Sequence, residues 1–84
     1  MRNVRTDYSS RYYKPRGVPL SSLEEIILSK EDLEVLRLRY IDRKSQTEAA
    51  KAMNISQSQY QRDLTNVLER LVRALFRGDA IRIE

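Results

Sequence analysis

Apolar positions recur at helical spacing from about residue 30 to residue 41. They form two stripes on this predicted first helix: Leu33, Leu36 and Tyr40 on one, Val35 and Leu38 on the other. Two apolar stripes indicate a helix that is covered on both sides. The pattern therefore predicts that the first helix lies at the centre of the fold.

Two further helices are predicted closer to the C-terminus. A short one covers about residues 46–53, where three alanines allow another helix to approach closely. A long one covers about residues 57–77, and Gly78 favours its termination. Each of the three predicted helices follows a serine, with an acidic residue or a glutamine three residues later: Ser29 and Asp32, Ser45 and Glu48, Ser56 and Gln59. This spacing is typical of the capping box, in which each side chain accepts a hydrogen bond from the other residue's backbone amide.

The segments outside these helices have other patterns. Residues 21–28 predict a single helical turn followed by an extended segment, and residues 80–84 alternate isoleucine with charged residues, which predicts a short strand. The only obvious partner for that strand is the tyrosine-rich segment around residues 11–14, in the same chain or across a dimer. The predicted fold class is all-α: a small helix-turn-helix domain of three main helices, with an extended N-terminal arm and a short C-terminal β-strand.

The charge divides the chain of 84 residues into two parts. The formal net charge is +4, and residues 1–17 alone hold five basic residues against one acidic residue, so the remainder is neutral on balance. We therefore distinguish a basic arm, residues 1–17, from a domain, residues 18–84. A basic arm on a balanced domain favours a polyanionic partner, although a solvated tail that aids solubility has the same composition.

The composition also narrows the chemistry. The chain has no cysteine and no histidine, so it lacks thiolate nucleophiles, the commonest metal ligand and the commonest general base near neutral pH. It has no glycine-rich phosphate loop either. We therefore expect no enzymatic activity, no metal and no cofactor. Its apolar runs are too short for a membrane span and no secretory signal precedes the domain, so we expect a soluble cytoplasmic protein without a membrane partner.

The spacing of residues between the second and third helices is typical of a helix-turn-helix. A small residue, Ala50, lies where the helices would cross, and Asn54 can adopt the left-handed geometry of a tight turn. Ile55 follows the turn, and Tyr60 and Leu64 would anchor the third helix in the core. The same stripe continues along this helix and completes the predicted core with Val67, Leu71 and Leu75. The alternative is a helical hairpin in a small bundle whose polar face is simply solvated.

Two sets of residues are candidates for contact with DNA. The outward side of the third helix carries polar side chains of types that read base edges: Gln57, Ser58, Gln61, Arg62 and Thr65. The start of the second helix and the arm carry residues suited to the sugar–phosphate backbone: Arg43, Lys44, Gln46, Thr47, Arg2, Arg5 and Arg11. We expect sequence-specific binding of double-stranded DNA, with the 57–77 helix in the major groove, and a role in transcription regulation.

A second surface on the third helix requires a different partner. Leu68, Val72 and Phe76, here called the apolar ridge, follow one another at four-residue steps. Phe76 lies about 28 Å along the helix from Gln57, so it does not reach the same groove floor. The arm, the C-terminal strand or a second copy could cover the ridge. We favour a homodimer, because a single module makes a modest DNA interface and dimers pair half-sites about 34 Å apart.

The alternative function is a protein-interaction module that is similar to part of a sigma factor. In that interpretation the apolar ridge docks on RNA polymerase or on another regulator. Salt dependence would separate the two functions, because binding to phosphates weakens steeply with salt and binding through apolar side chains does not.

From about Tyr13 onwards the chain resembles a family of small prokaryotic proteins, catalogued as domain of unknown function 134 and known mainly as predicted DNA-binding proteins. The resemblance rests on residues 13–20 (YKPRGVPL), 23–25 (LEE), 33–38 (LEVLRL), 48–50 (EAA) and 80–84 (AIRIE). The helix-turn-helix is similar to region four of bacterial sigma factors, and this likeness implies base contacts by Gln57, Ser58 and Arg62. The chain departs from the family at Asn54, where glycine is usual, and at Asp63, where an apolar residue is common.

Overall fold

The computed structural model describes residues 11–84. Within that range the chain forms three α-helices and one three-stranded sheet. The strands are β1 (Arg11–Tyr13), β2 (Glu25–Leu28) and β3 (Ala80–Ile83), and the helices are α1 (Lys30–Leu36), α2 (Gln46–Met53) and α3 (Gln57–Arg77). A single 3₁₀ turn, Leu20–Ser22, precedes β2, and a π-helical segment, Arg37–Ile41, continues α1.

The sheet corrects the predicted fold class, because the domain is α+β and not all-α. β3 is the central strand: it pairs antiparallel with β1 and parallel with β2. The predicted partner of the C-terminal strand is therefore confirmed, and the pairing is within the chain. The prediction lacked a second partner for β3. The two edges of a lone strand leave backbone groups unpaired, and three strands with an apolar face are stable where two are marginal.

The inner face of the sheet packs on α3. Ile26 lies opposite Ile81 and Leu28 opposite Ile83 in the parallel ladder. Leu28, Ile81 and Ile83 share a buried cluster with Val67 and Ala74 of α3. Burial of these side chains fixes the C-terminal half of α3 against the sheet.

The outer face of the sheet is polar. Arg82 donates hydrogen bonds of 3.1 and 3.0 Å to the carboxylate of Glu25, and its guanidinium carbon lies 5.0 Å from the centre of the Tyr12 ring. Arg82 is also the main reason that the pKa of Glu25 lies below its ordinary value. Side chains from all three strands therefore contact one another across this face.

The first predicted helix is helical to Ile41, but it changes pitch. Residues 37–41 form a wider π turn, closed by a 2.9 Å hydrogen bond from the amide of Asp42 to the carbonyl of Arg37. The guanidinium of Arg37 binds both Glu34 and Asp42, which brackets the widened turn. Arg43 then adopts a positive φ of 63° and the chain leaves the helix.

The N-terminal half of α3 packs on α1 and α2. Val35, Leu38, Ala49, Ala50, Tyr60 and Leu64 form this second buried cluster. The Tyr60 ring is completely buried, and its hydroxyl donates a 2.6 Å hydrogen bond to the carbonyl of Val35. Although α3 has 21 residues, no helix within residues 11–84 is long and apolar enough to cross a membrane.

Candidate nucleic-acid interface

A short connection joins α2 to α3. Asn54 ends α2 in the left-handed conformation, with φ 60° and ψ 42°, as predicted from the sequence. The amide of Ile55 donates a 3.0 Å hydrogen bond back to the carbonyl of Ala50, and the Ile55 side chain packs against the core. Because Ser56 already caps α3, three residues suffice to end one helix and begin the next.

The three predicted capping boxes have different outcomes. Those at Ser29 and Ser45 form completely, with both reciprocal hydrogen bonds present. At the start of α3, Ser56 accepts from the amide of Gln59 at 3.1 Å, but the Gln59 side chain does not return to Ser56. The third box is therefore only half formed, because the Gln59 amide bonds along the helix instead.

The predicted base-reading residues lie together on the exposed side of α3. Tyr60 and Leu64 are buried in the core, which turns the opposite side of the helix to solvent. All five candidates are exposed there: Gln57, Ser58, Gln61, Arg62 and Thr65. The structure thus brings this set onto one surface over the first nine residues of α3.

Hydrogen bonds along the helix organise this polar surface. The side-chain oxygen of Gln59 accepts from Arg62 at 2.8 Å, and its nitrogen donates to Asp63 at 2.7 Å. Gln61 contacts Thr65 at 3.4 Å. The sequence pattern predicted only a capping role for Gln59, although its three- and four-residue spacings to Arg62 and Asp63 are those of neighbouring side chains on a helix.

The start of α2 adjoins the start of α3. The Thr47 hydroxyl donates to the side-chain oxygen of Gln57 at 3.1 Å, which links a predicted backbone-contacting residue to a predicted base-reading residue. Next to Thr47, the amide and hydroxyl of Ser45 hold the Glu48 carboxylate and lower its pKa. Gln46 is half-buried at the first position of α2.

The other residues that we expect to contact the sugar–phosphate backbone of DNA are distributed more widely. Arg43 is exposed and Lys44 half-buried in the loop before α2, where the Lys44 carbonyl accepts from Arg39 at 3.0 Å. Arg11 lies in β1, paired with Ile83, and so belongs to the sheet. Arg2 and Arg5 lie outside the described residues.

The apolar ridge is covered at one end only. Leu68 is half-buried against the α1–α2–α3 cluster, whereas Val72 is 48% and Phe76 88% exposed. Leu75, which our prediction placed in the core, is 65% exposed and lies beside Tyr13 of β1 around a shallow cavity. The described part of the chain therefore leaves the C-terminal end of the ridge open.

Comparison with known proteins identifies the family. The model of the family described as "Protein of unknown function DUF134" matches residues 1–84. The chain belongs to this family. The family assignment agrees with the resemblance read from residues 13–84, and it carries no description of an activity.

Relatives in this family come from bacteria and archaea. The chain is 41% identical over 81 residues to UPF0251 protein TTE1845 of Caldanaerobacter subterraneus and 49% identical over 73 residues to UPF0251 protein DET0218 of Dehalococcoides mccartyi. A UPF0251 protein of Methanosarcina acetivorans is 43% identical over 83 residues.

The aligned regions cover 96%, 87% and 99% of this chain but 69%, 62% and 51% of the three relatives respectively, so the chain spans about half to two thirds of these longer proteins. No solved structure matches the chain.

Proposed function

We propose that this protein binds double-stranded DNA sequence-specifically, with the N-terminal half of α3 in the major groove, and that it regulates transcription. One observation carries the proposal: five exposed polar side chains occupy one surface of α3, directly above the buried Tyr60 and Leu64. A helix anchored from behind by buried residues presents such a surface rigidly. Rigid presentation is what selective hydrogen bonding to base edges requires.

The residue types on this surface suit direct readout. Glutamine pairs with adenine and arginine with guanine through two hydrogen bonds each, and serine or threonine accepts several partners. Arg62 is the residue on which we place most weight, because it is exposed and already held in place by Gln59. In this proposal α2 and α3 act as a helix-turn-helix, similar in role to the promoter-reading region of sigma factors.

Contacts to the sugar–phosphate backbone would come from the start of α2 and from the arm. Thr47 is exposed beside Gln57, and Arg43 is exposed one loop earlier. The whole formal excess of +4 lies in residues 1–17. We propose that Arg2 and Arg5 follow the phosphates, which adds affinity without reading the sequence.

A protein partner is the second candidate, and the exposed end of the apolar ridge favours it. Phe76 at 88% exposure is an apolar anchor without a cover in the described chain. A sigma-like module would dock this ridge on RNA polymerase or on another regulator. If the protein instead binds DNA, the ridge still needs a cover, and there we favour a second copy of the chain.

Selection from a pool of random duplexes at two salt concentrations, followed by sequencing, tests the DNA proposal. We expect one enriched motif at both concentrations, with less DNA retained at the higher one. Uniform, salt-sensitive retention without a motif would overturn the base-reading role of α3 and leave phosphate binding by the arm. No retention at low salt would overturn DNA binding altogether and favour the protein-docking function.

A further inference from the structure

Four arginines and one asparagine follow one another along one side of α3. The steps between them are four, four, three and four residues. Because an α-helix turns about 100° per residue, these steps keep all five within about 80° of one another around the helix axis. We call this set the basic stripe: Arg62, Asn66, Arg70, Arg73 and Arg77. Its first member belongs to the base-reading surface, and the others extend from there towards the C-terminal end of α3.

The basic stripe and the start of α2 lie on opposite sides of the base-reading surface. The Thr47 hydroxyl bonds to Gln57, so the start of α2 lies on the Gln57 side of α3. Gln57 and Arg62 are separated by about 140° around the helix axis. The other reading residues project between these two: Ser58, Gln61 and Thr65. The basic stripe begins at Arg62 and therefore occupies the side of α3 that is turned away from α2.

This arrangement matches the cross-section of a major groove. The groove is about 12 Å wide, and an α-helix with its side chains is about 10–12 Å across. A helix that fills the groove therefore has a sugar–phosphate backbone against each of its sides. If the proposed DNA binding holds, the start of α2 faces the backbone of one strand, and the basic stripe faces the backbone of the other strand.

Within the stripe, ion pairs inside the domain distinguish the arginines beyond Arg62. Arg70 is half-buried and donates a 3.1 Å hydrogen bond to Asp32, which ties it to the fold. Arg77 contacts Asp79 at 3.7 Å. Arg73 is exposed and has no ion pair within residues 11–84. Its guanidinium is therefore the one in this part of the stripe that can bind an anion without losing an ion pair in the domain.

We propose that Arg73 binds a phosphate of the DNA strand on the side away from α2, outside the base pairs that α3 reads. This inference rests on the proposed function and adds a contact to it. Arg73 lies within about 20° of Arg62 around the helix axis and about 17 Å further along it, so it follows the same side of the groove. A guanidinium binds phosphate oxygens through two hydrogen bonds. Such a contact fixes the register of α3 on the duplex without reading the sequence.

Acidic residues near Arg73 limit the contact to one phosphate. Glu69 is exposed one turn before Arg73, and Glu24 is exposed and lines the same cleft as Arg73. Neither carboxylate has an ion pair within residues 11–84, so both would repel a phosphate backbone. We therefore expect the base contacts to end before Glu69, and one phosphate to be held at Arg73 and not a row of phosphates along the whole stripe.

Titrations at several salt concentrations count the phosphate contacts. Arg73→Ala should reduce the slope of log affinity against log salt by about 0.9, and should weaken binding to selected and random duplex by the same factor. Arg73→Lys keeps the charge and should keep the slope. Lys30→Ala is the matched control, because Lys30 is exposed on α1 with the same single charge, and its removal should leave the slope unchanged.

Neutral phosphates locate the contact on the DNA. In the selected duplex, a methylphosphonate replaces one phosphate at a time. We expect one position outside the motif at which this replacement weakens binding of the wild type and leaves binding of Arg73→Ala unchanged. The position that behaves in this way with Thr47→Ala should lie on the other strand.

The outcomes separate this inference from the proposed function. A wild type that selects a motif while Arg73→Ala keeps its salt slope would overturn the phosphate contact and leave base reading by α3 intact. The same conclusion would follow if no single phosphate depended on Arg73, or if the phosphates linked to Arg73 and Thr47 lay on one strand. A wild type that binds no duplex at low salt would overturn both the inference and the proposed function.

Discussion

The guanidinium of Arg62 donates a 2.8 Å hydrogen bond to the side-chain oxygen of Gln59. The amide nitrogen of the same glutamine donates to Asp63 at 2.7 Å, which fixes the orientation of the Gln59 amide. Gln59 is half-buried, so its side chain is more restricted than that of Arg62. Arg62 keeps further N–H donors for a base edge while one is used to hold its position.

This relationship predicts how two substitutions affect DNA recognition. Arg62→Ala should weaken binding to the selected duplex by about 1–3 kcal/mol, and should weaken binding to random duplex much less. Gln59→Ala keeps the Arg62 guanidinium but removes the hydrogen bond that holds it. This variant should therefore also bind the selected duplex less selectively over random duplex, but with a smaller loss than Arg62→Ala. Fluorescence anisotropy titrations with both duplexes measure the two effects.

Lys30→Ala is the control for lost charge. Lys30 is exposed at the start of α1 and carries the same single positive charge. Its removal should leave the ratio of the two affinities unchanged. If Arg62→Ala lowers both affinities equally, Arg62 contacts phosphate and does not read a base.

The basic arm should govern salt dependence. Removing residues 1–10 deletes Arg2 and Arg5 but retains β1, which begins at Arg11. Loss of two phosphate contacts should reduce the slope of log affinity against log salt by about 1.8. Selected and random duplexes should lose the same fraction of affinity. Titrations at several salt concentrations measure the slope, and an unchanged slope would show that these two arginines do not contact phosphates.

The hydrogen bond between Tyr60 and Val35 should stabilise the α1–α3 packing. Tyr60→Phe removes a 2.6 Å bond in a completely buried position and should lower the free energy of unfolding by about 1 kcal/mol, measured by urea denaturation. Tyr40→Phe is the matched control, because Tyr40 is 54% exposed. We expect no measurable change for Tyr40→Phe, and a similar loss in both variants would show that the buried bond has no special contribution.

Alkaline pH provides a second readout of the same contact. Burial raises the pKa of the Tyr60 phenol above its ordinary value of 10.0. A group whose pKa is higher in the folded state than in the unfolded state stabilises the fold at pH values below its unfolded-state pKa. This stabilisation is lost as the pH rises from the unfolded-state pKa through the folded-state pKa. The advantage of wild type over Tyr60→Phe should therefore diminish above about pH 10.

Local signals in the sequence explain which parts of this fold were predictable. Helical periodicity and serine caps placed all three helices, and Asn54 marked the turn because asparagine tolerates positive φ. The exposed face of α3 followed from the spacing of Tyr60 and Leu64. Each of these features depends on residues within one or two turns of each other.

The sequence patterns did not predict the features that depend on contacts between distant parts of the chain. Residues 25–28 read EIIL, and four residues are too few to distinguish a strand from a short extended connection. Their partner, β3, lies more than fifty residues later in the chain, and all three helices lie between the two strands. The exposure of Leu75 has the same cause, because the sheet covers the Ala74 side of α3 and leaves its neighbour uncovered.

Asp32 joins the start of α1 to the middle of α3. One of its carboxylate oxygens accepts from the amide of Ser29 at 3.0 Å and from Arg70 at 3.1 Å. Partial burial alone would raise the pKa of Asp32, but the hydrogen bonds from Ser29 and Arg70 outweigh it and hold the pKa below the ordinary value of 3.8. The ionised form is therefore favoured by folding.

A lowered folded-state pKa predicts the direction of the pH dependence. The stability that Asp32 contributes is present at pH values above its unfolded-state pKa of 3.8. It is lost as the pH falls through the folded-state pKa. Asp32→Asn should lower the free energy of unfolding by about 1 kcal/mol at neutral pH, and the difference between the two proteins should shrink as the pH falls below 3.8 and through the folded-state pKa. Urea denaturation from neutral to acidic pH measures the free energy of unfolding of both proteins. Glu31→Gln is the control, because Glu31 is exposed in the same turn. A difference that stayed constant down to the lowest pH would show that Asp32 stabilises the fold without its charge.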